Sequence, residues 1–435
     1  MSKKGIIFLI LGLILVGGGT FSGVYFMNVK GEEGMKAIMA LKKTKEEATE
    51  TTEDDELAMD FLKIESGRKN LVYSPLSIRY GLSLLKEGAN GETKTEIEKV
   101  LGEKTPTKYE NVKDKLSLAN AVFIREGFKD AVLASYVKAV EKNYNAEVIY
   151  DPFKDAALLD KWVSEKTFKL IDKIGVEIEE DTEMVLANAL AIQMNFVNGF
   201  NGNTFGGKFY TLTEGGSAGG TEETITATTM NYDETKSENV GFYQGEEETI
   251  ATIDLEKLEN GTQLEFIAVM PEDDTLERYI EKVGTGDILA KEKKKTLASE
   301  TKKGVNLYMP KFDFETDLDF KGDLGKLGVK SAFDKKLADF SEMAKTELYV
   351  SDAIHKAKIE FSEKGIKAAA VTTFSMSLGA ALDMDEEKPI TIRIDKPFLF
   401  MIVDKGTGEV WFIGKVYRPN LWENDKAAYE SDFEL

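Results

Sequence analysis

One histidine, His355, and no cysteine set the limits of the side-chain chemistry open to this 435-residue sequence. Without thiols there are no disulfides, no thiolate nucleophile and no thiolate metal site. A single imidazole excludes multi-histidine metal centres and leaves one candidate for a histidine base. Carboxylates can do acid and base work, but an enzyme is poorly supported, and no metal or cofactor is expected.

The stretch whose spacing does suggest an event is residues 363–382, EKGIKAAAVTTFSMSLGAAL. Taking every second residue from Ile366 gives Ile366, Ala368, Ala370, Thr372, Phe374, Met376 and Leu378, a largely apolar set. The alternate set, Lys367, Ala369, Val371, Thr373, Ser375, Ser377 and Gly379, is small or polar. Period two is the pattern of a half-buried strand, and small or β-branched residues suit a pleated surface. Yet Gly365 on one side and the acidic run 383–387 on the other frame the stretch as an exposed loop. Two readings follow: an edge strand ending in a turn, or a segment with two conformations.

The rest of the chain must position that stretch. Apolar residues make up 42% and charged residues 31%, ordinary for a folded protein large enough to bury a sizeable core. With 77 acidic against 56 basic side chains the net charge is -21, which opposes attraction to nucleic acid, heparin-like polyanions and anionic lipid. The cluster from Lys291 to Lys295 reads as a solvated face. Behind Lys3 and Lys4, residues 5–26 form an uncharged apolar run of about the ~20 residues needed to span a bilayer. That run predicts a membrane-directing segment over 1–28, an uncleaved anchor or a cleaved signal. The lysines ahead of it place the remainder outside the cytoplasm, anchored by a single helix or secreted.

Residues 29–56 are charged and threonine-rich, a solvated linker. Folded sequence begins at Leu57 and runs to 420, and the acidic residues 421–435 read as a frayed tail. Within it, Ser74 and Pro75 read as an N-cap and first helical residue, with Gly88 past the end, and Thr93 opens a second helix. Residues 117–128 read as a strand, 131–144 as a helix and 185–200 as a buried apolar strand. A glycine-rich excursion spans 199–220. Asn260-Gly261 joins two strands, and that turn explains the asparagine better than its glycosylation sequon does. Further strands are expected over 305–316, over 348–365 and, in three pieces, over 390–420. Helices early and strands late, without regular alternation or repeats, predict one α+β domain with mixed or antiparallel sheets.

Several of these segments together, in order, resemble the serpin family. They are NLVYSPLSI with GANGET, SLANAVFI, IHKAKIEFSEKGIKAAAVTT and DKPFLFMIVDKGTGEVWFIGKV, and the resemblance covers residues 57–420. It implies three sheets, eight or nine helices and an exposed reactive-centre loop on a metastable, monomeric fold. It also implies inhibition by loop cleavage, acyl-enzyme trapping and insertion of the loop as a new strand. Insertion from Ile366 to Leu378 would bury four large side chains, roughly 6–12 kcal/mol. About 14 residues at ~3.3 Å each would carry a tethered protease on the order of 45 Å.

Carried over residue by residue, the hinge is Glu363, Gly365, Ile366, Ala368, Ala369 and Ala370. Glu363 would pair with Lys311 where insertion begins, beside Phe196, which stands where the family has tryptophan. Ile366 likewise replaces a threonine. Asn70, Ser74, Ser77, Asn188 and His355 match the polar cluster beneath the strands that must part, which gives the histidine a structural rather than catalytic role. The reactive bond falls at Gly379-Ala380, with Leu378-Gly379 as the alternative. No lysine or arginine lies between Ala368 and Glu387, so the expected targets are elastase-like or subtilisin-like serine proteases, with cysteine proteases as a second class. A serpin fold kept as a non-inhibitory binding module is the competing reading.

Overall fold

The computed structural model describes residues 4–15, 56–102, 104–200, 204–212, 221–272, 275–365 and 388–430. The chain opens with β1 (Lys4–Leu15) and resumes with α1 (Glu56–Ile64), β2 (Leu71–Tyr73), α2 (Pro75–Gly88) and α3 (Gly91–Leu101). Next come β3 (Leu116–Arg125), α4 (Ala134–Tyr144), β4 (Ala146–Asp151), α5 (Ala157–Lys166) and β5 (Thr182–Gln193). The middle holds β6 (Phe205–Leu212), β7 (Glu222–Thr235), β8 (Val240–Gln244), β9 (Glu248–Asp254), β10 (Leu264–Pro271), α6 (Leu276–Lys282), α7 (Thr285–Glu292) and β11 (Thr296–Leu297). The last part holds β12 (Val305–Pro310), β13 (Phe312–Leu318), α8 (Phe320–Leu327), β14 (Leu348–Phe361), β15 (Ile390–Arg393), β16 (Phe398–Asp404), β17 (Val410–Val416) and α9 (Trp422–Glu430).

Three sheets and nine α-helices among the described residues give the expected α+β architecture. The first sheet is mixed, in the order β13-β14-β1-β5-β3-β4. A seven-stranded sheet runs β11-β8-β9-β10-β16-β17-β2, and a four-stranded sheet runs β15-β12-β7-β6. β5 is buried along almost its whole length, which is why it reads as a near-continuous apolar run rather than an alternation.

Between the first two sheets lies α2, in contact with β5 and β17. Its Ser74 N-cap accepts a hydrogen bond from Ser77 N at 3.0 Å, and Pro75 follows as expected. Even Ser77, Arg79 and Ser83 are buried there, because the helix is covered on both sides. The second helix starts two residues earlier than Thr93 implied. Asn90 caps it through its own side chain, and Thr93 is buried inside, its hydroxyl accepting from Asp339 N.

β2 closes the seven-stranded sheet against the far end of the chain, Leu71 pairing with Lys415 and Tyr73 with Ile413. Lys415 is 1% exposed, and its ammonium donates to the carbonyls of Glu65 and, at 2.8 Å, Gly67 just beyond α1. Burial pushes its pKa down to about 8, against the opposite pull of the Glu277 and Glu65 carboxylates.

Three segments differ from their sequence reading. The apolar run 5–26 was read as a membrane-directing segment, an anchoring helix or a cleaved signal; its described part, Lys4–Leu15, is a strand, parallel to both β14 and β5. Isoleucine-rich, uncharged sequence satisfies a central strand flanked on both edges as well as it satisfies a bilayer, and periodicity does not separate the two. Among the described residues no helix is long and apolar enough to cross a membrane. The acidic tail, read as frayed, is helical over Trp422–Glu430. Its entry is tied to the four-stranded sheet by the Ala227–Leu421 bridge and by Thr228 Oγ1 donating to Asp425 at 2.8 Å. Gly206 makes room for the Trp422 ring, since a Cβ there would stand 2.7 Å from it. The glycine-rich excursion is in part a strand, β6, and residues 213–220 lie outside the described residues.

Candidate functional site

After Phe361 the chain turns back on itself within four residues. Gly365 N donates to Ser362 O at 3.1 Å, Ser362 N donates to Gly365 O at 3.2 Å, and Ser362 Oγ donates to the same carbonyl at 2.8 Å. Gly365 takes φ 103, a conformation that glycine adopts without steric cost. Glu363 is held from the neighbouring segment: Phe200 N donates to its carbonyl at 2.7 Å, and Thr204 Oγ1 donates to its carboxylate at 3.0 Å. A Cβ on Gly199 would stand 3.0 Å from that carbonyl, so the close approach depends on glycine. The remaining hinge residues Ile366, Ala368, Ala369 and Ala370, and Leu378, Gly379 and Ala380 at the expected reactive bond, lie outside the described residues.

Lys311 joins β12 to β13. Its backbone N–H donates to Thr228 O at 2.8 Å and its carbonyl accepts from Asn420 N at 2.9 Å. Phe196 is buried and meets Phe361 edge-on at 5.4 Å and Phe200 at 5.9 Å. Phe361 stacks on Phe312 at 4.7 Å and lies 4.4 Å from Phe266. The last residue of β14 before the turn is therefore fixed by aromatic rings from β10, β13 and the segment after β5. Beside Gly199 a cleft of about 730 Å³ opens, lined in part by Val197, Asn198, Tyr232, Ser237 and Asn239. Tyr232 donates to Asn198 O, and burial raises its phenol pKa. Sequence reasoning singled out Phe196 alone here. The phenylalanines of FDF (312–314) and FLF (398–400), alternating at period two, were the available signal for the rest.

The polar residues beneath the sheet form two groups. In one, Ser74 N donates to His355 Nε2 at 3.3 Å, Ser74 Oγ donates to Trp411 O at 2.7 Å, and Ser77 follows on α2. In the other, Asn188 Nδ2 donates to Asn120 Oδ1 at 2.8 Å, and Asn120 donates to Tyr144 O. β1 runs between them, with Ile10 in register with His355 on one side and Asn188 on the other. Both residues are fully buried, and His355 is bonded as a structural residue. Asn70 belongs to neither group. Its amide accepts from Tyr417 N and Arg418 N at 2.8 and 2.9 Å and donates to Arg418 O, tying β2 to the end of β17. Its described hydrogen bonds all run to the backbone of 417–418 rather than to Ser74, Ser77, Asn188 or His355.

This fold, with a long central β14 ending in a tight turn above a buried histidine, agrees with the comparisons. The chain belongs to the serpin family, whose model, Serpin (serine protease inhibitor), matches residues 53–419. Members of the family are generally protease inhibitors rather than enzymes. An uncharacterized serpin-like protein of Methanosarcina acetivorans is 29% identical over 377 residues, covering 82% of this chain and 83% of its own. Serpin A9 of Mus musculus is 28% identical over 377 residues, covering 82% and 84%. Among solved structures, the thermophilic serpin tengpin in its native state superposes with a TM-score of 0.67 at 23% identity, over 85% of this chain and 96% of its own. Thyroxine-binding globulin in complex with thyroxine gives 0.65 at 23%, over 84% and 96%. At that identity the structural likeness establishes the fold.

Proposed function

We propose that this serpin is a suicide-substrate inhibitor of serine proteases with small or apolar primary pockets, elastase-like or subtilisin-like, and secondarily of cysteine proteases. The observation that carries this reading is the four-residue turn Ser362–Gly365 at the end of β14, after which the sequence continues as an alternating, alanine-rich segment. Cleavage at Gly379-Ala380, or at Leu378-Gly379, would free that segment to insert from Ile366 onward. Glu363 and Lys311 would mark the point where insertion starts. The lysines before the apolar run support action outside the cytoplasm, as a secreted or membrane-attached monomer. The net charge of -21 disfavours a polyanion activator.

Mixing the full chain with subtilisin, elastase and chymotrypsin tests the reading. A covalent complex that survives denaturing electrophoresis, with its released peptide beginning at Ala380 or Gly379, is the expected result. Simple cleavage by all three, with no complex, would sink it. A second reading, a non-inhibitory binding module, is favoured by one observation: β1 already stands where a strand would be added. It predicts no rise in melting temperature after the loop is cut.

A further inference from the structure

β14 and β5 do not pair with each other; β1 lies between them, in register with β14 from Leu348 to Glu360 and with β5 from Thr182 to Gln193. Its last residue, Leu15, pairs with Glu360 and Gln193, directly below the turn Ser362–Gly365. A strand that continues from that turn into the sheet must run antiparallel to β14, in this same gap. The gap has one pair of free backbone edges, and β1 takes both. Occupancy by β1 and by a strand from Gly365 is therefore mutually exclusive.

A second observation is that β1 leaves a polar group in this gap unmet. The side-chain oxygen of Asn188 is buried and, among the described residues, accepts no hydrogen bond. An unpaired buried amide oxygen is costly, and the residue in register with it is the apolar Ile10. Across β1, at the same level, stands His355. With β1 gone and the sheet closed, Asn188 and His355 would face each other as neighbours.

We infer that residues 4–15 are a built-in plug, an intramolecular competitor that holds the full chain in a state unable to accept its own loop until the segment is withdrawn. Residues 16–55 join the plug to α1, enough chain for it to leave without disturbing the fold. The inference rests on the inhibitor reading for its biological meaning, but the competition itself is testable without a protease.

The chain has no cysteine, so Leu9→Cys with Ala187→Cys introduces one pair at a position where the two residues are in register. Neighbouring strands lie about 4.8 Å apart, within the Cα range of a disulfide. Oxidation of the full chain is expected to form this bond. A fluorescent peptide of residues 366–379 should bind the reduced protein, and the full-length Leu9→Pro variant, at least tenfold more tightly than the oxidised one, because proline removes a ladder donor. Failure of the pair to cross-link in folded protein, or equal peptide binding by the oxidised and reduced forms, would overturn the plug. If the peptide discriminates but Leu9→Pro traps no protease, the plug stands and the inhibitor reading is the one that fails.

Discussion

Lys415 offers a prediction whose sign and size follow from its surroundings. The ammonium is sealed inside β17 and its two acceptors are neutral carbonyls, so burial lowers its pKa from 10.5 to about 8. Below about pH 8 the amine is charged in both folded and unfolded chains, and the folded state bears the full cost of keeping it dry. Between about 8 and 10.5 the folded amine is neutral while the unfolded one still holds its proton, so stability from this group rises with pH. At ~1.4 kcal/mol per pH unit the whole window is worth about 3 kcal/mol. Lys415→Met removes the titrating group, so the difference in stability, wild type minus variant, should grow by about 3 kcal/mol from pH 7.5 to pH 10.5. Urea midpoints measured on both proteins across that range give the difference directly. Parallel curves for the two would refute the assignment, because every other titrating group is shared.

Two further outcomes concern the elements around the hinge. Asn70→Ala leaves the backbone N–H groups of Tyr417 and Arg418 without their acceptor, and it should lower stability by about 2–3 kcal/mol, read as a lower urea midpoint with unchanged slope. Phe361→Ala empties the ring stack shared with Phe312, Phe266 and Phe196. It should cost about 3–5 kcal/mol and loosen the Ser362–Gly365 turn, seen as faster amide exchange at Gly365.

Local signals in the sequence were legible where their partners are local. Ser74-Pro75 announces α2 because cap and helix are adjacent, and the apolar run at 185–200 announces β5, which ends earlier at Gln193, because a strand buried on both faces needs no alternation. Gly365 was legible as the frame of a turn because glycine marks one locally, and the rest of the expected hinge lies outside the described residues. What the sequence did not show depends on distant partners. Asn70 looks like any polar residue beside a strand, and its backbone partners are 347 and 348 residues away. The helix Trp422–Glu430 needs Thr228 and Gly206 to hold it, and neither is near it in sequence. The strand Lys4–Leu15 was not legible because an apolar run fits either a bilayer or a sheet interior.

The pairing of β2 with β17 has a consequence for how the molecule comes into being. Leu71 is among the first folded residues to be synthesised and Lys415 among the last, and Ser74 at the head of α2 bonds Trp411 O. Neither the seven-stranded sheet nor the cap of α2 can close until β17 has left the ribosome. Such distant closure is slow, because most of the chain's freedom must be given up before the contact forms. Until β17 has been made, β2 and the head of α2 lack the edge and the carbonyl they pair with, so the early part of the domain stays open while the rest is synthesised.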